Sequence, residues 1–558
     1  MRNALLVLSV LVPTVASAQS EQPKPANPGE EAPAELARTP ADEAPKAENA
    51  PVPAVTPVPA VVPAPAPKPA GPTADVGVRR PSEPPAAVEG SKLTTKVSAS
   101  LRVGALGSSA FPVDTLGTPL SPTPVEERLR LSAEARYGGF GLIGEIDGAS
   151  GAISGLPPSE LVAPRMPNPG FRALDLRQLY GEYKGATWVV RAGQQGAQWG
   201  LGLVANNGAK DAEVGDFGDA YFGDISYRVL LAGRPLFGLG GAFRAIEPAV
   251  GIDLVMRDDT ADFFAGDRAL QGIFALRFAV DADHYFGVYS VLRRQRAEGV
   301  TDGGRQTDAF VVDLAGKWLF GKKGRDNVSL GFELVSISGT STQTRSDTAP
   351  VMQVQQLGAA VRTAAESGNL TAFFDFGYAS GDQNPFDDRL ENFRFDPDYH
   401  AGLVLFDQVL GWQSARSAAR ASDPNLVGVA PEGVHLLPTR GAVTGAWYLF
   451  PRLRYGIEEW LDVYGGPLFA FSTARMIDPF TSRVNGGGPL NAWGGEPGRH
   501  LGTELDVGVQ ARWKPHATTT VTATAEGGYF LPGDAFALPG GGNLPPVVVG
   551  RLRLGVGI

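Results

Sequence analysis

The side chains in this sequence whose types and spacing could do chemistry are charged, and they come at every second position. Between Glu127 and Tyr137, the side chains of Arg128, Arg130, Ser132, Glu134 and Arg136 share one face of an extended chain, while Leu129, Leu131, Ala133, Ala135 and Tyr137 share the other. Arg102, Arg191, Arg277, Asp313, Lys317, Glu333, Arg362, Asp375, Arg452, Arg454, Glu504, Asp506, Arg512 and Glu526 hold the same kind of position in other segments. Charges arrayed this way can close cross-strand ion pairs that stiffen a wall. They can also set up a transverse field that sorts charged solutes, in which unpaired arginines favour anions.

Catalytic patterns are scarce. The sequence has no G-x-S-x-G, no H-E-x-x-H and no P-loop, and His284, His400, His435, His500 and His516 are dispersed without metal-ligand spacing. Gly200-x-Gly202-x-x-Ala205 superficially matches a dinucleotide fingerprint, but it sits where a strand runs into a loop and no helix follows. No enzyme activity, cofactor or metal is therefore expected; a hydrolase assembled from distant Ser and His is the enzymatic alternative. The acidic loop residues Asp211, Glu213, Asp216, Asp219 and Asp224, with Asp382, Asp387, Asp388, Glu391, Asp396 and Asp398, carry oxygen ligands suited to Ca²⁺ but match no EF-hand spacing, so solvated loop surface is expected.

The elements that must position the charges are strands. Alternation recurs over 93–106, 126–137, 140–148, 173–183, 186–194, 221–231, 236–257 (irregular), 269–280, 285–294, 307–319, 327–338, 354–366, 370–380, 441–455, 460–473, 503–514, 519–530 and 546–558. The connections alternate in length: 138–139, 184–185, 232–235, 281–284, 321–326, 367–369, 456–459 and 515–518 are tight, whereas 149–172, 195–220, 381–440 and 474–502 are long. An all-β, transmembrane, antiparallel up-and-down barrel of about 18 strands accounts for both features, with short turns in the periplasm and long loops outside. A soluble sandwich alternates too, but it does not require this asymmetry of loop length. Reversing the register of 127–137 would turn three arginines toward lipid at about 2–4 kcal/mol each, so the charged face is expected to point into the lumen. Tyr137, Tyr183, Trp188, Tyr285, Trp318, Tyr378, Trp447, Tyr455, Trp460, Trp513 and Tyr529 fall near strand ends, as interfacial girdles require.

The rest of the chain suits export. Residues 1–18 read as a signal peptide, with Arg2, an apolar run from Ala4 to Val15 and Ala16-Ser17-Ala18 before the cut. An apolar helix of about 12 residues rises only about 18 Å, too short for a hydrocarbon core of roughly 30 Å. Residues 19–92 form a Pro/Ala-rich leader, for example Pro51–Pro72, that lacks the apolar surface to offset its ordering entropy and is expected to stay disordered in the periplasm. It is a spacer, or it docks to the cell wall or a periplasmic partner. The barrel is assigned to 93–558. Zero cysteines exclude a small disulfide-stapled fold, and a net charge of −10 argues against a nucleic-acid partner.

Loop 381–440 contains Ala401–Ala421, where Leu403, Phe406, Leu410 and Trp412 mark an amphipathic helix with Arg416 and Arg420 toward its C-terminal end. It is expected to fold inward as a constriction; a cap packed over the mouth is the plainer alternative.

Arg177–Gly202 (RQLYGEYKGATWVVRAGQQGAQWGLG) resembles the strand–turn–strand of Gram-negative outer-membrane porins, especially alginate-export-type barrels, at Arg177, Tyr180, Glu182, Trp188, Arg191, Gly193, Gln194, Trp199 and Gly200. Val547–Ile558 resembles the terminal strand read by the barrel-assembly machinery, with Leu552, Leu554, Val556 and Ile558 on one face, although Ile558 stands where an aromatic is usual. The resemblance implies a closed barrel in outer-membrane lipid that passes small hydrophilic or anionic solutes or oligosaccharides. The alternative is a structural or adhesive barrel with a blocked lumen.

Overall fold

The structure, a computed structural model, describes residues 92–159, 161–162, 170–209, 214–218, 223–297, 305–322, 326–344, 349–384, 387–431 and 433–558. The signal peptide and the leader up to residue 91 lie outside the described residues, as do Asp211, Glu213 and Asp219.

Eighteen strands close into an antiparallel barrel. They are β1 Thr94–Ser108, β2 Val125–Tyr137, β3 Phe140–Ser154, β4 Arg172–Lys184, β5 Trp188–Gln195, β6 Ile225–Gly233, β7 Ile246–Arg257, β8 Arg268–Ala279 and β9 Tyr285–Ala297, then β10 Arg305–Gly321, β11 Asn327–Ser341, β12 Met352–Ser367, β13 Leu370–Ala379, β14 Ala446–Glu458, β15 Leu461–Ser472, β16 His500–His516, β17 Thr519–Pro532 and β18 Val547–Gly557. Each strand pairs with the next along the chain, and β1 pairs with β18 from Ser100↔Gly557 to Ser108↔Val549, so no edge is left open. A two-residue strand, Arg389–Leu390, adds one parallel pairing to β12 without entering the wall.

Alternation fixes which side chains look inward. Along β16, Leu505 and Val507 are 51% and 55% exposed, whereas Glu504 and Asp506 are each 0% exposed. The same contrast separates Leu552 and Leu554 from Arg551 on β18. A period of two puts every apolar residue of such a strand on one surface, and closure makes that surface the outside. At the short-turn rim, Tyr183 lies between Phe140 (ring centroids 4.7 Å) and Trp188 (5.2 Å), and Trp460 stacks on Trp513 (6.1 Å). At the other rim Trp447 stacks on Phe471 at 4.6 Å. Tyr285 departs from the expectation: it is buried and faces inward with Arg277 5.5 Å above its ring, because its parity matches Tyr289 and not the outward Phe286. No helix among the described residues is long and apolar enough to cross a membrane.

The tight turns follow from glycine where the backbone demands it. Gly138 has φ +57°, which only a residue without Cβ adopts readily between β2 and β3. One connection departs from the tight pattern. The irregular strand expected at 236–257 begins only at Ile246, and Phe237–Leu239 and Gly241–Ala245 coil into 3₁₀ turns. Gly240 and Gly241, at φ +73° and +56°, break the extended backbone there although the apolar spacing persists. Likewise β14 starts at Ala446 rather than 441, because residues 441–445 belong to the preceding loop.

Candidate functional site

Two long loops leave the far rim and pass inside the barrel, where charged residues of the wall hold them. The first follows β5. Trp199 stacks on Tyr289 of β9 at 5.5 Å, and after Gly200 three successive backbone amides turn toward one carboxylate, Glu333 of β11. Gly202 and Leu203 donate at 2.9 and 3.0 Å, with Leu201 beside them. Further along, carbonyls take over. Asn207 O accepts from Arg177 (2.6 Å), Gly208 O from Arg130 (3.3 Å), Gly215 O from Arg452, Phe217 O from Arg551 (2.7 Å) and Gly218 O from Arg553 (2.9 Å). Phe217 itself lies between Phe450 and Tyr464, so the segment runs from β9 and β11 to β14, β15 and β18.

The second loop joins β13 to β14. Leu403, Val404 and Leu405 donate their amides to Glu504 of β16 at 2.6, 2.7 and 2.7 Å. A π-turn, Leu405–Leu410, then leads into helix α1, Gly411–Ser422. The helix expected at 401–421 is thus present, starting four residues late as a wider turn. Leu403, Phe406 and Trp412 are fully buried; Phe406 meets the ring of Tyr448, and the Trp412 indole donates to Gln408 at 3.1 Å. Leu410 is half-buried. Arg416 donates to Asp114 (2.8 Å) and Leu161 O (3.1 Å), while Arg420 reaches Thr115 and covers the Phe480 ring at 4.1 Å. Both arginines are therefore engaged by other loops of the far rim. Burial alone would raise the Asp114 carboxyl, but Arg416 and Thr118 outweigh it and hold the group below the usual range.

The two loops are also tied to each other. Asp396 N donates to Leu203 O at 2.8 Å, and Gly223 N to Asp398 at 2.5 Å. Asp396 is 6% exposed rather than solvated; burial, then Asp224 and Asp398, push its carboxyl well above the ordinary value. Asp216, another loop acid, lies 3.2 Å from Arg452.

The charged residues picked out from the sequence are mostly engaged by one another. Arg130 binds Asp147 through two bonds (2.6 and 2.8 Å); Arg136 bridges Glu134 and Glu182; Arg191 meets Glu182 (2.7 Å) and Arg277 meets Glu247 (2.6 Å). Lys317 reaches Asp283 (2.9 Å), and Arg362 and Arg452 share Asp375 (3.4 and 2.5 Å). Arg454 pairs with Asp462 (2.9 Å), Arg512 donates to Gln510 (2.9 Å), and Glu526 joins Arg551 and Arg553 (2.7 and 3.0 Å). Arg102 and Arg128 stand opposite each other in register, and Asp313 and Asp506 are buried on the inward face near Glu333 and Glu504. Sequence reasoning missed the work of Arg177, Arg551 and Arg553 in holding a loop. Its one signal was Gly200-x-Gly202, where the chain turns back on Glu333: Gly200 has φ +52°, and a Cβ there would sit 2.5 Å from the carboxylate.

No family model matches the sequence, and neither does any curated protein. Among solved structures, the chain is similar to the outer membrane protein OprD from Pseudomonas aeruginosa (10% identity, 86% of this chain and 97% of that one, TM-score 0.47). It is similar to Acinetobacter baumannii OccAB1 (9%, 83% and 96%, TM-score 0.46) and to Pseudomonas aeruginosa OpdK with vanillate (10%, 83% and 98%, TM-score 0.45).

Proposed function

We propose that the chain is an outer-membrane channel through which small hydrophilic solutes, anions above others, diffuse passively or are exported. The observation that carries this reading is the closed wall with its polarity reversed from that of a soluble protein: Leu505, Val507, Leu552 and Leu554 are exposed outside while Glu504, Asp506 and Arg551 are buried within. A continuous apolar girdle of this kind is unstable in water and suits a bilayer. The bilayer reading puts the short turns and the leader in the periplasm and the long loops outside. Kinship with alginate-export barrels, and with it an oligosaccharide or uronic-acid cargo, rests on Arg177–Gly202 alone, and recognition by the barrel-assembly machinery rests on Val547–Ile558.

The loops favour a second reading. Both enter the lumen and bind each other, and wall arginines that could attract anions are spent on Asp147, Glu526 and loop carbonyls. That is the architecture of a blocked, structural barrel. Conductance of the purified full chain in planar bilayers separates the two. Discrete steps with an anion-selective reversal potential are expected; a heat-modifiable barrel that inserts without conducting supports the blocked lumen. Recovery from the periplasm as a detergent-free soluble monomer removes the membrane reading altogether.

A further inference from the structure

Two side chains of the wall do the same job for two different loops. Glu333 on β11 takes the amides of Leu201, Gly202 and Leu203; Glu504 on β16 takes those of Leu403, Val404 and Leu405. In each case a left-handed glycine precedes the three amides, Gly200 at φ +52° and Gly402 at φ +75°. Such a residue turns successive N–H groups to one side and makes a concave anion seat, here filled by the protein's own carboxylate. The seats are tight: a Cβ on Gly200 would come within 2.5 Å of Glu333 Oε2, and one on Gly402 within 2.7 Å of Glu504 Oε1. Both glutamates are buried, and among the described residues neither forms an ion pair; each accepts three loop amides and sits beside a second buried carboxyl, Asp313 or Asp506. The Glu504 contact lies deep in the second loop and the Glu333 contact soon after β5 ends at Gln195, and the loops join each other through Asp396 N and Leu203 O.

We propose that Glu333 and Glu504 are positioning residues that clamp the two loops inside the lumen, and that the aperture widens when either clamp lets go. The proposal rests on the channel reading. Each loop has further contacts, such as Gly208 O with Arg130 and Arg416 with Asp114, but three consecutive amides converge on each of these two carboxyls, so changing a single oxygen matters. Glu504→Gln replaces one acceptor oxygen by an NH₂ that faces one or two of the three donors, whereas Glu504→Asp keeps both oxygens on a shorter stem.

The test uses the full chain in planar bilayers, together with limited proteolysis of the folded barrel. Glu504→Gln and Glu333→Gln are expected to keep heat-modifiability, to raise the single-channel step by roughly twofold or more because the narrowest point dominates conductance, and to expose loop 380–445 or 196–224 to protease. Glu504→Asp should restore part of the native step. Gly402→Ala, which leaves the wall untouched, should act like Glu504→Gln even where the latter fails to fold. Native step size and native protease resistance in Glu504→Gln and Gly402→Ala overturn the proposal. A native chain that conducts nothing defeats the channel reading instead; unaltered proteolysis of the variants then defeats the clamps independently.

Discussion

Around β16 the wall is held by a ladder: its backbone pairs with β15 from Leu461↔Ala511 to Phe471↔His500 and with β17 from Gly502↔Pro532 to Trp513↔Val521 and beyond. Just inside it, Leu403–Leu405 hang from one carboxylate, and the loop after β5 hangs from Glu333 and a row of arginines. The wall distributes its attachment over every residue, so single changes dilute. The inner segments concentrate theirs in a few charged contacts, so single changes tell. A barrel built this way can keep its shell while its contents rearrange.

The sharpest test of that contrast lies where the two systems touch. Glu526→Ala leaves Arg551 and Arg553 without their shared carboxylate, and stranding buried charges costs about 3–5 kcal/mol. The expected result is a clear drop in the urea midpoint of the barrel in liposomes; an unchanged midpoint means that water screens this part of the lumen. Next comes the wall alone. Val507→Arg on the outward face should lower the same midpoint, at a cost of about 2–4 kcal/mol in unfolding free energy, while Gln510→Arg on the inward face stays near neutral. Equal effects at the two positions would dissolve the distinction between outside and inside.

Changes confined to the contents should leave that midpoint alone. Arg416→Ala removes the partner of Asp114 and a bond to Leu161 O, a loss of about 1–3 kcal/mol in local attachment. Faster amide exchange across Gly411–Ser422 at constant barrel stability is the expected signature, and a global loss of stability would show the loop to be part of the shell. The smallest effect concerns acidity. Burial and the neighbouring Asp224 and Asp398 raise the Asp396 carboxyl, so the folded loop favours its protonated form. Its contribution is complete below the ordinary aspartate value and fades as pH rises through the elevated one. Protease resistance of loop 380–445 should therefore decline as pH rises, and Asp396→Asn, whose side-chain oxygen can still accept the Asp398 amide, should flatten the dependence.

These differences in attachment also explain what the sequence disclosed. In 127–137 the wall had to place every second residue against an apolar medium, so Leu129 and Leu131 against Arg128 and Arg130 revealed strand, face and parity together. The helix at Ala401–Ala421 was legible for a similar reason, since Leu403, Phe406 and Leu410 repeat at helical spacing. Alternation misled where it outlasted pairing, as at Phe237, Leu239 and Phe243, which coil at the rim. The clamps were illegible because a carboxylate that binds backbone amides needs no particular partner side chain. Glu333 and Glu504 were recognised as inward charges, and Gly200-x-Gly202 as the place where a strand runs into a loop, but nothing in the residue types joins them across the barrel.

The closing seam between β1 and β18 has a consequence for how the molecule is made. Ser100 faces Gly557, and Ser108 faces Val549, so the contacts that seal the cylinder join the two ends of the strand series. Every other neighbour in the wall follows its predecessor along the chain and can zip up locally at small entropic cost. The seam has to wait for both ends. Until it forms, β1 and β18 each offer a bare edge able to pair with another chain. Folding is therefore expected to run as a growing sheet that ends in one slow closure, with aggregation competing at that final step.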